Sequence, residues 1–266
     1  MMPSAERPFT LVHANGERLA GLIHETHQDP VGIFLPGFAS NMNGSKSRLL
    51  AEYAQNQGWS WVRFDPRGVG RSDGLFEQLT LSRYLEDLRL ILQMLEKRPV
   101  ILVGSSMGGW LATLAATRWP ERLRALLLIA PAYNFIQTLF QTLSPEDQHR
   151  WQSSNLCCWQ DHYGLGELRM RFDLVADSWR YDLLRFPVHL HCPVEILHGT
   201  DDEAVPCSKP INSQPTLIVN SSPCAPSPVS ITAYKVRIGY CCRASPDSGR
   251  RLPKKRRMIG QRTKIM

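Results

Sequence analysis

Val100-Ile101-Leu102-Val103-Gly104-Ser105-Ser106-Met107-Gly108-Gly109 (VILVGSSMGG) passes without a break from a strand pattern into the start of a helix pattern. A continuous apolar run of this kind predicts a buried strand, and Gly108 to Trp119 carries apolar residues at helical spacing. Outward from it the same alternation repeats. Val31 to Leu35, Trp59 to Phe64, Ala125 to Ala130 and Val194 to Leu197 read as further buried strands, and Lys46 to Gln57 and Leu81 to Leu95 as helices between them. In the last of these, Leu81, Tyr84, Leu85, Leu88, Ile91, Leu92 and Leu95 form one apolar stripe, and Thr80 or Ser82 can cap its start. Strands alternating with helices predict an α/β fold with a mostly parallel sheet flanked by helices. Phe9 to His13 and Leu19 to Ile23 flank Asn15-Gly16, which predicts an opening antiparallel hairpin with a type I′ turn.

The turn at the centre of this pattern is G-x-S-x-G, Gly104 to Gly108. A reactive serine at the end of a sheet strand needs a tight, strained turn, so small residues are required two positions to either side, and the following helix aims its positive end at the reaction. Ser106 is therefore the candidate nucleophile, with Gly104 and Gly108 making room for it. A glycine-rich strand-to-helix turn also occurs without any chemistry, so two other stretches matter. Pro36-Gly37-Phe38-Ala39-Ser40 follows the VGIFL strand, where a second oxyanion donor belongs; the Phe38 and Met107 amides are the candidate donors. His198 to Pro206 (HGTDDEAVP) closes the VEIL strand and brings carboxylates to its carboxyl end, with Asp202 the candidate triad acid and Asp201 its nearest rival.

The four stretches LPGFASNMNGSK (35–46), RFDPRGVGRSDG (63–74), ILVGSSMGGW (101–110) and LHGTDDEAVP (197–206) together resemble the α/β-hydrolase superfamily. Asn41 to Lys46 and the SS-x-GGW turn are more narrowly similar to the branch holding the mitochondrial acyl-protein thioesterase (depalmitoylase) and acyl-glucuronide esterase of animals, with bacterial relatives. The resemblance implies hydrolysis of a carboxylic ester or acyl thioester, on a small molecule or an acyl-protein, through an acyl-enzyme on Ser106, with no cofactor and no metal. It also implies that Asp65 to Gly74 is a structural loop, since the stretch lacks the spacing of a phosphate-binding loop.

The resemblance spans roughly residues 9 to 206 and then departs. In such enzymes the triad histidine lies in the loop after the last strand, roughly 25 to 30 residues past the acid. Counting from Asp202 arrives near Ser230 to Ala233, and no histidine follows His198 anywhere in the chain. A serine hydroxyl is a weak nucleophile until an imidazole takes its proton, and losing one triad member leaves roughly 10³ to 10⁴ of rate over water. The expectation is an impaired hydrolase; the alternatives are a catalytically dead hydrolase fold serving as a binding module, and nucleic-acid binding through a basic tail.

Charge and composition divide the 266-residue chain at the same place. The net charge of +7 is not spread evenly, because residues 207–266 hold 12 Lys and Arg against the single acid Asp247, leaving residues 1–206 at −4. Residues 1–206 read as one hydrolase core with a helical lid at about 131–186, rich in Trp, Tyr and Phe. Residues 207–266 read as a basic Pro, Ser and Cys-rich tail, disordered or produced by a shifted reading frame near Pro206, so that the C-terminal strand and helix are missing or replaced. The seven cysteines lack zinc-ligand spacing and read as free thiols. With no run of 18 apolar residues and no leader pattern, a cytoplasmic location is expected.

Overall fold

The computed structural model describes residues 6–160, 167–199, 202 and 215–219. Strand β1 (Arg7–Val12) pairs antiparallel with β2 (Arg18–His24) across a three-residue loop. The loop differs from the expected type I′ turn. Gly16 alone has positive φ (86°), Gly16 N–H donates to His13 O at 2.9 Å, and His13 N–H donates to Glu17 O at 2.9 Å. This is a type I turn closed by a left-handed glycine, in which only one residue must leave the ordinary backbone range.

The parallel part follows in chain order: β3 (Val31–Leu35), helix α1 (Ser45–Asn56), β4 (Trp61–Phe64), α2 (Leu81–Met94), β5 (Val100–Ser105), α3 (Met107–Arg118) and β6 (Leu123–Ile129). The chain then makes α4 (Phe135–Thr142), α5 (Pro145–Ser154), the antiparallel pair β7 (Cys157–Gln160) and β8 (Glu167–Met170), and α6 (Phe172–Ser178). It ends, among the described residues, with β9 (Val188–Leu190), β10 (Val194–Leu197) and β11 (Leu217–Val219). The main sheet has the order β1-β2-β4-β3-β5-β6-β10, parallel from β4 to β10.

β3 and β4 are buried at every position because helices cover both faces there, and that is why they read as continuous apolar runs rather than alternations. Helix α2 buries its predicted stripe plus one unpredicted member, Asp87, and its N-cap Thr80 accepts from Arg83 N–H at 3.1 Å. Helix α3 is buried from Met107 through Ala116, which explains its lack of a polar face.

The 131–186 segment is not wholly helical: β7 and β8 form a hairpin within it. It is tied to the core by directed bonds. Ser82 Oγ donates to Asp177 Oδ1 at 2.5 Å and Ser82 N–H to Oδ2 at 2.8 Å, so the lid helix α6 satisfies the first turn of α2. Trp110 Nε1 donates to Tyr181 O at 3.1 Å, and within the segment itself Gln137 Nε2 donates to Ser178 O at 2.7 Å. Leu217–Val219 forms a strand where the sequence pattern predicts none, and it pairs with β9 rather than extending the main sheet past β10. Cys157, Cys158 and Cys192 are free thiols; the other four cysteines and nearly all of residues 207–266 lie outside the described residues.

A buried charge network lies under the opening hairpin. Arg67 donates through Nε to Asp87 at 2.6 Å, and its other nitrogens reach Glu86 at 2.8 Å and Glu17 at 3.1 Å. Arg83 also reaches Glu17, at 2.9 Å. The Asn15 amide, then Arg83 and Arg67, hold the Glu17 carboxyl down at about 2. Because that value is below the unfolded one, its stabilisation is present above pH 4.5 and lost as pH falls from 4.5 to 2. The stability difference between the chain and Glu17→Gln, read from urea midpoints, is therefore expected to shrink across that interval. Burial pushes Asp87 up to about 6, so its contribution has the opposite sign: it favours the fold at low pH and is lost as pH rises through 6.

Candidate active site

Sheet register brings sequence-distant loops together. Leu35 pairs with Gly104, Ser105 with Ile129, and Ile129 with Leu197, so the loops starting at Pro36, Ser106, Ala130 and His198 leave the same edge of the sheet. Ser106 lies between β5 and α3 with φ 54° and ψ −120°. A non-glycine residue holds such a left-sided conformation only when its surroundings enforce it. They do so here. Ser106 N–H donates to Ile129 O at 2.9 Å, and Ser106 O accepts from Gly109 N–H at 2.9 Å and Ala132 N–H at 3.1 Å.

The glycines are required sterically. A Cβ on Gly104 would lie 2.6 Å from the carbonyl carbon of Gly108 and 2.7 Å from Gly109 Cα; one on Gly108 would strike Leu35 O and lie 2.7 Å from Pro36 O. One on Gly37 would come 3.2 Å from Ser106 Cβ and 3.8 Å from Ser106 Oγ, which places the Pro36–Ser40 loop directly against the serine side chain.

That loop is held at both ends. Tyr84 Oη donates to Pro36 O at 2.9 Å, Met42 N–H donates to Asp65 Oδ1 at 2.7 Å, and Arg63 donates to Met42 O at 2.7 Å. Between these clamps Ala39 takes φ 55°, and Ser40 N–H closes a turn onto Gly37 O at 3.1 Å. Among the described residues no hydrogen bond occupies the Phe38 or the Met107 amide. The Phe38 ring meets Phe76 edge-on at 5.2 Å and Phe135 at 5.6 Å, and Phe135 meets Trp110 at 6.4 Å. Apolar aromatic surface therefore stands beside the serine. Two amides near a strained serine with an apolar wall can stabilise an oxyanion and accept an acyl group.

No sequence pattern marks Tyr84, Asp65 and Arg63 as loop clamps. Tyr84 reads as part of an apolar stripe; its hydroxyl is the signal, since a buried phenol needs a partner. Asp65 also accepts from Arg71 N–H at 2.8 Å, and its backbone carbonyl accepts from Ser72 Oγ at 2.6 Å, which makes 65–74 the structural loop the resemblance implied.

At the other end of the site, His198 is buried directly after β10. It stands two strands from Ser106 and so about 10 Å away across the sheet. Asp202 is half-buried, its Cβ 4.0 Å from where a Cβ on Gly199 would stand. Asp201, Val205 and Pro206 lie outside the described residues. Among the described residues no three His, Cys, Asp or Glu side chains are grouped so as to hold a metal ion, and no helix is long and apolar enough to cross a membrane.

A mostly parallel sheet with this strand order, carrying a strained serine between its central strand and the next helix, defines the class: the chain belongs to the α/β-hydrolase family. Residues 26–156 match the family described as "Serine aminopeptidase, S33". Within the class the chain belongs to the branch of palmitoyl-protein thioesterase ABHD10, mitochondrial. It is 33% identical to that protein from Homo sapiens over 208 residues, 77% of this chain and 68% of the relative. To its Bos taurus counterpart it is 36% identical over 180 residues, 67% of this chain and 59% of the relative. The chain thus spans about three fifths to two thirds of the length of these relatives. The solved structure of alpha/beta hydrolase domain-containing protein 10 from mouse superposes with TM-score 0.69 at 31% identity, covering 81% of this chain and 88% of that one.

Proposed function

We propose that the chain is a serine hydrolase of carboxylic esters or acyl thioesters, working through an acyl-enzyme on Ser106. The observation that carries this reading is the conformation of Ser106, held against Gly37, together with the Phe38 and Met107 amides, which have no protein partner among the described residues. Attack by Oγ on the carbonyl carbon forms a tetrahedral intermediate whose oxyanion the Phe38 and Met107 N–H groups stabilise. Collapse breaks the bond to the alcohol or thiol, which departs with the proton given up by Oγ and leaves the acyl group on Ser106; attack by water on that ester then releases the acyl group as a carboxylic acid while a proton of the water returns to Oγ. Asp202 is the candidate triad acid. The relatives named as thioesterases support an acyl thioester, including one on a protein, as substrate class.

The histidine such a mechanism uses is lacking after His198, which supports a second reading, a hydrolase fold retained as a binding module. A fluorophosphonate probe separates the two. Labelling of the chain that disappears in Ser106→Ala carries the hydrolase reading; a folded chain that takes no label carries the binding module.

A further inference from the structure

Between α6 and β9 the chain turns outward large side chains that a protein surface ordinarily covers. Trp179 is 41% exposed, Leu184 37% and Phe186 77%, and from Leu184 to Pro187 four consecutive residues are exposed. Arg180 and Arg185 are interleaved with them; Arg180 keeps 72% of its side chain in solvent although it stands 3.6 Å from Asp177. The nearby acids turn inward. Asp177 is engaged by Ser82, and Asp182 accepts from Asn134 and, at 2.8 Å, from Leu184 N–H. What this strap presents to solvent is therefore apolar and cationic.

We propose that the Trp179–Phe186 strap docks on an anionic phospholipid surface. The charge pattern complements lipid phosphates, with guanidinium groups at headgroup depth while neighbouring aromatic and aliphatic groups enter the acyl boundary. The shape favours a soft partner over a rigid one. The apolar side chains project from an irregular loop with arginines between them, a form that inserts into an interface more readily than it matches a preformed protein groove. The strap is also rigidly seated, since Tyr181 O receives Trp110 Nε1 at 3.1 Å and Leu183 N–H donates to Asn134 Oδ1 at 3.2 Å. Little ordering entropy therefore opposes docking.

Sedimentation of the full chain with vesicles tests this, using phosphatidylcholine alone and phosphatidylcholine with phosphatidylglycerol at two to one. Binding to the anionic vesicles is expected to exceed binding to the neutral ones. Leu184→Ser with Phe186→Ser should reduce the partition coefficient at least about tenfold. Arg180→Glu with Arg185→Glu should reduce it at least about fivefold per residue changed. These side chains are exposed, so both variants should unfold at the same urea midpoint as the parent chain. No binding by the parent chain, equal binding to both vesicle types, or undiminished binding by both variants would each overturn the proposal, the last by assigning the interaction to another surface such as the basic 207–266 segment. None of these readouts depends on Ser106, so failure here leaves the hydrolase reading standing and the converse also holds.

Discussion

Replacing Gly108 by alanine is expected to destabilise the chain by about 3 kcal/mol and to abolish any labelling of Ser106. The methyl group would enter the space held by the Leu35 and Pro36 carbonyls, which are backbone atoms at the end of a fully buried strand and cannot swing aside. Overpacking of this kind typically costs about 1 to 3 kcal/mol, with larger values where the neighbours are fixed. The strain would also move the peptide that Tyr84 holds, and with it the Gly37–Phe38 segment against the serine. The check is a urea denaturation curve beside a labelling time course. A variant of unchanged stability that still labels would show that the two loops yield more easily than their contacts imply. Alanine at Gly44 provides the control, since a Cβ there meets nothing nearer than Asn41 O at 3.4 Å and should cost little.

Arg67→Met carries the second large effect, a loss of about 3 kcal/mol. Arg67 and Asp87 leave only 3% and 1% of their side chains in solvent, so removing the guanidinium leaves a core carboxylate whose remaining contacts are the residue 67 backbone N–H at 2.9 Å and the His13 ring at 2.9 Å. Breaking a buried pair on one side generally costs about 3 to 5 kcal/mol. The lower figure applies here because Asp87, already pushed up to about 6 by burial, can take a proton once Arg67 is gone. Adding Asp87→Asn should recover part of the loss, and a double-mutant cycle measures how much. If Arg67→Met left stability untouched, the network would be a consequence of the fold and not a support for it.

How far the sequence could be read depended on the range of the physics involved. The five core strands and three large helices were legible, because burial on two faces or one stripe leaves a local pattern, and the elements lie within two residues of their expected ends. Ser106 and its glycines were legible for the same reason, since the constraint is local and steric. The Asn15-Gly16 turn type was not, as loop length was decided by the pairing of Val12 with Arg18 and not by the dipeptide. Nor were the β7–β8 hairpin or the partner of Leu217–Val219, both of which depend on long-range pairing. Arg63, Asp65 and Tyr84 escaped notice because each acts on a segment some 20 to 50 residues away. The acid and the tail divide differently: Asp202 is half-buried five residues past the end of β10 and its role as the acid is a proposal, while the segment that would carry a histidine lies outside the described residues.

The crowding around Gly104 and Gly108 changes what their presence certifies. Both positions exclude a side chain because backbone atoms of β3 and α3 occupy the space, and neither exclusion involves the serine hydroxyl. Selection for folding alone would keep these glycines in a descendant whose chemistry had lapsed. The signature by which such chains are recognised is thus a record of shape, as durable as the sheet itself and independent of any proton-transfer partner.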